Sequence, residues 1–192
     1  MPRKIIIDTD PGQDDAVAIL LALASPELEV LALTAVAGNV PLPLTQRNAR
    51  QIVELAGKET PVHAGCDAPL SRKLVTAEHV HGKTGLDGIP LPDPTRPLHE
   101  QHAVDYLIAT LRAHPPGTIT LCPLGPLTNI AQAFQRAPHI IPRVAEIVLM
   151  GGADQRPWAD LFSKGSQPGD RATLPSITEI RALGQVNRKR GL

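Results

Sequence analysis

A chain of 192 residues is the size of one domain and long enough to bury a real core. Nineteen basic side chains balance nineteen acidic ones, which removes the electrostatic case for nucleic-acid or membrane partners. Two cysteines, Cys66 and Cys122, are too few for a disulfide framework and read as reduced thiols, so a cytoplasmic protein is expected. The start, Met1-Pro2-Arg3-Lys4, has too short an apolar run behind it for a signal peptide, and no segment reaches the roughly eighteen apolar residues of a membrane span. Arg188-Lys189-Arg190 reads as a solvated tail. With aromatics at 2%, the core must be built from Leu, Ile, Val and Ala.

In chain order, Lys4 to Asp8 reads as a short buried strand, and Gln13 to Ala24 as a helix stopped by Ser25-Pro26. Leu28 to Ala37 is a second strand, Gly38-Asn39-Val40-Pro41 a loop, and Thr45 to Ala56 a helix with Gly57 as its stop. A third strand covers Pro61 to Ala64. Cys66 to Glu100 has no clean periodicity, and so long a connection is usually functional. A helix over Gln101 to Ala113, a strand over Thr118 to Leu121, a helix over Leu127 to Arg136 and a buried strand over Val144 to Met150 follow.

Strands that alternate with helices and are apolar throughout predict an α/β fold: a Rossmann-like, open, mostly parallel sheet with helices on both faces. After Gly151-Gly152-Ala153 the pattern is lost. Residues 1–153 therefore read as one domain, and 154–192 as an atypical, poorly structured tail with at most a helical turn or two at Pro175 to Leu183. A sheet that stops there is expected to be truncated.

The most informative stretch is Asp8-Thr9-Asp10-Pro11-Gly12-Gln13-Asp14-Asp15, where four carboxylates crowd between the first strand and the first helix. One or two acids suit a helix N-terminus. Four repel one another unless a cation sits among them, and oxygen-only donors suit a hard ion, Ca²⁺ or Mg²⁺. Strand-to-helix turns are also where open α/β sheets place their sites. Two alternatives fail on spacing. An EF-hand would need Glu where Ile19 stands, and an aspartyl-phosphate phosphatase would not continue Pro11-Gly12 with two further acids.

That acidic stretch resembles the signature of the inosine–uridine-preferring nucleoside hydrolases. Gly38-Asn39, Leu124-Gly125-Pro126-Leu127-Thr128-Asn129 and Met150-Gly151-Gly152-Ala153 resemble further family segments, in the expected order. His81-Gly82-Lys83-Thr84-Gly85-Leu86-Asp87-Gly88 is similar to the family's loop near the nucleobase. The resemblance implies a Ca²⁺ held by Asp10, Asp15 and the backbone carbonyl of Leu124. It implies Asp10 as general base, Asp14 and Asn39 on ribose hydroxyls, His81 toward the base, and Asp8 orienting the turn. Without the resemblance Asn39 is a turn residue and His81 a solvated loop histidine. Asn129 braces its turn. His63, His79, His99, His102, His114 and His139 show no ligand spacing and are assigned nothing.

The implied activity is hydrolysis of ribonucleosides to ribose and free base, with a small-molecule substrate, no nucleic acid, no membrane, and a homodimer or homotetramer as the oligomer to expect. His81 mildly favours pyrimidine or broad specificity. The chain departs from the family after Ala153. No Glu-Phe-Asn segment follows, and Trp158-Ala159-Asp160-Leu161-Phe162 is not its equivalent. Two carboxylates and one carbonyl would leave a Ca²⁺ site mostly to water. The alternative expectation is therefore a catalytically inactive partial fold. The abrupt change at 153 also motivates the hypothesis that 154–192 is translated out of frame, which sequencing the encoding DNA tests.

Overall fold

The computed structural model describes residues 1–88 and 90–150. The Gly151-Gly152-Ala153 turn, the segment from Trp158 to Phe162, the turns at Pro175 to Leu183 and the tail over 154–192 lie outside the described residues. The described elements are β1 (Arg3–Thr9), α1 (Gln13–Ala24), β2 (Leu28–Ala35), α2 (Leu42–Leu55), β3 (Val62–Ala64), α3 (Glu78–His81), α4 (Ala103–Ala113), β4 (Ile119–Pro123), α5 (Thr128–Arg136) and β5 (Val144–Ile147), with a 3-10 segment over Pro138–Arg143.

The five strands form one parallel sheet in the order β3-β2-β1-β4-β5. β1 is apolar on both sides because both sides are covered. Ile5 and Ile7 pack with Leu33, Val62 and the α1/α2 residues Ile19, Leu23, Ala49 and Ile52. Ile6 faces the other way, toward Val104, Leu107 and Leu111 of α4 and Ile130 and Phe134 of α5. The helices present buried residues at helical spacing, as in Val104, Leu107, Ile108 and Leu111. Phe134 is the one aromatic carbocycle in these clusters of fully buried residues. The fold is the α/β architecture expected, with helices on both faces.

Several boundaries differ for local reasons. Helix α2 begins at Leu42, earlier than expected, because Pro43 sits in its first turn, where a missing amide costs nothing. Gly57 follows α2 with φ +64, the stop expected. The long connection holds the short helix α3. Pro138 and Pro142 sit in a 3-10 segment whose Ile140 and Ile141 are buried. Cys66 and Cys122 are free and half-buried, and burial pushes both thiols up to about 11. No helix among the described residues is long and apolar enough to cross a membrane.

Strand order positions the site. From β1 the chain steps to β2 and β3 on one side, then returns to place β4 and β5 on the other. The first and fourth strands therefore flank the switch point, and the crevice at their carboxyl ends is where such sheets bind ligands. β1 ends there in Asp8 and Thr9, with Asp10 next.

Candidate active site

Asp8 is opposite Thr34 of β2 and Pro123 of β4. It is 1% exposed. Its Oδ1 accepts the Thr34 hydroxyl at 2.5 Å and the Asn129 side-chain amide at 2.8 Å. Its Oδ2 has no partner among the described residues. Burial outweighs those two donors and pushes the Asp8 carboxyl up to about 7. Asp8 thus points into the fold.

Asp10 follows the strand and lies between two glycines. A Cβ added at Gly38 or at Gly125 would fall on the Asp10 carboxylate, so the turns after β2 and β4 close on it from opposite oxygens. Neither glycine has a positive φ; both are there for room. One Asp10 oxygen accepts the Asn39 backbone amide at 2.7 Å, and the Asp10 carbonyl accepts the Asn39 side-chain amide at 3.0 Å. Desolvation is the largest influence on Asp10, the Asn39 amide opposes it, the neighbouring Asp15 adds to it, and the carboxyl rises to about 7.

Asp15 lies in the first turn of α1, 2% exposed. Its Oδ2 accepts the Gly12 amide at 3.1 Å, a helix-capping contact. Its Oδ1 is buried with no partner among the described residues. Burial raises this carboxyl to about 6, against the Gly12 amide and with the repulsion of Asp14. Asp14, beside it, is exposed. Capping accounts for one oxygen of Asp15.

The remaining predicted residues converge on the same turn. The Leu124 amide donates to the Asp8 carbonyl at 2.7 Å, which brings the Leu124–Gly125 peptide beside Asp10. A Cβ at Gly12 would come within 2.7 Å of the His81 ring and 3.1 Å of the Asn39 side chain. His81 therefore lies over the acidic turn, and its Nδ1 is 2.7 Å from Gln13 Oε1. Asp10, Asp14, Asp15, Asn39, His81 and Leu124 are thus gathered at one end of the sheet. Asp8 stays behind them. Among the described residues no three His, Cys, Asp or Glu side chains converge as a ligand group.

The structure extends the brace expected of Asn129 and adds Asn48, which sequence reasoning missed. Asn129, fully buried, also donates to the Ala35 carbonyl at 3.1 Å and accepts the Cys66 amide at 2.8 Å, tying the turns after β1, β2, β3 and β4 together. Asn48 donates to the carbonyls of Pro11 at 3.3 Å and Thr84 at 2.7 Å, docking the 82–88 segment on the acidic turn. Both asparagines are fully buried, Asn48 with Thr45 and Gln51 on α2 and Asn129 with Thr128 on α5. His63 is also buried, stacked on Tyr106 with ring centroids 4.0 Å apart and bonded through Nδ1 to the Gln101 carbonyl at 2.8 Å. Burial lowers its pKa, and its surroundings are those of a packed core histidine.

Comparison with known proteins places these features in a family. The family described as inosine-uridine preferring nucleoside hydrolase matches residues 5–170. The inosine-uridine preferring nucleoside hydrolase of Crithidia fasciculata is 51% identical over 154 residues, 79% of this chain and 49% of that protein. The pyrimidine-specific ribonucleoside hydrolase RihB of Escherichia coli is 47% identical over 151 residues, 79% of this chain and 48% of that protein. Among solved structures, a purine-preferring ribonucleoside hydrolase from Gardnerella vaginalis superposes with a TM-score of 0.74 at 36% identity, covering 79% of this chain and 49% of that one. The chain spans about half the length of the curated relatives it matches. With the family matching most of the chain and a relative 51% identical to it, the chain belongs to the inosine-uridine preferring nucleoside hydrolase family.

Proposed function

We propose that this site hydrolyses the N-glycosidic bond of ribonucleosides to ribose and free nucleobase, in the cytoplasm, with Ca²⁺ as its cofactor. The observation that carries the reading is the buried pair Asp10 and Asp15 at the switch point, with Asp15 Oδ1 left without a donor among the described residues. Burial raises these carboxyls to about 7 and about 6, a neighbouring cation would favour their ionised form, and their oxygens suit a hard ion. Asp10, Asp15 and the Leu124 carbonyl are the groups that would hold it. When bound, such an ion supplies polarisation of water and of the ribose diol.

The chain's own residues supply the rest. Asp10 takes the proton of a water as its oxygen bonds to the anomeric carbon and the bond to the base nitrogen breaks. The electron pair of that bond leaves with the base. Asp10 and Asp15 stabilise the oxocarbenium charge that develops on the ribose. Asn39 spends its side-chain nitrogen on Asp10, which leaves Oδ1 to accept a ribose hydroxyl, while exposed Asp14 accepts another. Water attacks directly, so the anomeric centre inverts. Reducing-sugar release from inosine and uridine with Ca²⁺ tests this. Release abolished by Asp10→Ala is expected; equal release from Asp10→Ala and the parent chain would overturn it.

A second reading, an inactive partial fold, rests on the donor count. Asp10, Asp15 and the Leu124 carbonyl would supply only part of the roughly six to eight oxygens Ca²⁺ prefers. No turnover, together with thermal melting unmoved by Ca²⁺, selects it.

A further inference from the structure

We propose that Gln13 is a positioning residue that fixes which ring nitrogen of His81 carries the proton, so that His81 meets the substrate as a hydrogen-bond acceptor through Nε2. The proposal rests on the reading above for the substrate, and on geometry alone for the histidine.

Gln13 is the first residue of α1, between the two pairs of acids. One end of its side-chain amide lies 3.3 Å from the His81 carbonyl and 3.4 Å from the Asp87 carbonyl. Both of those groups only accept, so that end is the nitrogen. The oxygen end then lies 2.7 Å from His81 Nδ1. An amide oxygen only accepts, so Nδ1 carries hydrogen. A neutral imidazole has one N–H, which leaves Nε2 with a bare lone pair. No described residue occupies Nε2, whereas the Nδ1–Cε1 edge is turned to Gly12.

The arrangement is held from both sides. Asp87 accepts the amides of Lys83 at 2.9 Å and Thr84 at 3.1 Å, and the Thr84 hydroxyl as well. Asn48 ties the Thr84 carbonyl at 2.7 Å. The two carbonyls that orient Gln13 therefore belong to a braced segment.

The consequence is a selectivity. A group meeting neutral His81 must be a donor, such as the ring N–H of hypoxanthine or uracil, or a ribose hydroxyl. Cytosine and adenine present no such ring N–H and could meet Nε2 only through their exocyclic amines.

The test uses the full chain labelled with ¹⁵N, at a pH well above the ordinary imidazole range. Long-range ¹H–¹⁵N correlation reads the two ring nitrogens of His81, assigned by their loss in His81→Gln. The expected spectrum shows Nδ1 protonated in the parent chain and in Gln13→Glu, whose carboxylate also accepts, and Nε2 protonated in Gln13→Met. Nε2 protonated in the parent, or no change in Gln13→Met, overturns the role of Gln13. With turnover, N1-methylinosine and N3-methyluridine should fall about tenfold in kcat/KM against inosine and uridine, and that gap should close in Gln13→Met. A fall confined to 5′-deoxyinosine makes the ribose hydroxyl the donor. No fall with any analogue overturns the acceptor role. Absence of turnover with every nucleoside overturns the activity reading, while the spectra still decide Gln13.

Discussion

Asn39 holds Asp10 at two points, with its backbone amide on the carboxylate at 2.7 Å and its side-chain amide on the Asp10 carbonyl at 3.0 Å. Only the second contact depends on the side chain. Asn39→Ala should therefore cost about 1 kcal/mol of stability while leaving the Asp10 carboxylate oriented. Because Asn39 Oδ1 is assigned to ribose, KM should rise more than kcat falls. Steady-state kinetics and chemical denaturation read the two effects; kcat falling alone would contradict the assignment.

Asp8 separates shape from charge. Its Oδ1 satisfies Thr34 and Asn129, while Oδ2 is buried without a partner. Asp8→Asn keeps the acceptor and removes the charge, so at neutral pH it should be neutral or stabilising. Asp8→Ala strands two buried donors and should cost about 2–4 kcal/mol. Urea midpoints compare the pair. Equal loss in both variants would show that Asp8 is needed as a charge.

Gly38 and Gly125 leave room for the Asp10 carboxylate. Gly125→Ala should displace Asp10 or the Leu124 peptide, cost about 1–3 kcal/mol and weaken Ca²⁺ binding at least about tenfold. Unchanged Ca²⁺ affinity in a folded Gly125→Ala protein would argue against a ligand set at this turn.

The raised carboxyls give stability a direction with pH. Asp8 and Asp10 near 7 and Asp15 near 6 bind protons in the folded state that the unfolded chain, near 3.8, releases. Their contribution is fully present below about pH 4 and is lost as pH rises through 6 and 7. Metal-free protein should lose stability across that window. Ca²⁺ requires ionised carboxylates, so its effect on Tm should be larger at pH 8 than at pH 5.5. Calorimetric scans with and without Ca²⁺ measure it, and a Ca²⁺ shift independent of pH would contradict the account.

Much of this was legible in the chain. The run Ile5-Ile6-Ile7 is apolar without alternation, and both faces of β1 are covered. The four acids between strand and helix marked the end of the sheet where the ligand crevice lies. Local pattern gave no reading of Pro138–Arg143, where two prolines sit in a 3-10 segment. It could not reach the contacts that cross the fold. Gln13 meets His81 across 68 positions and Asn129 meets Asp8 across 121, and neither partner is marked by spacing. It also could not divide labour among the acids. Asp8 lies on β1 and Asp10 just past its end, yet one bonds into the interior and the other to the turn after β2.

Calcium titration calorimetry on the full chain, beside Asp10→Ala and Asp15→Ala, reaches the central claim most directly. The account predicts saturable binding of one ion in the parent and its loss in both variants. Absence of saturable heat in the parent, or the same isotherm in all three proteins, would contradict it.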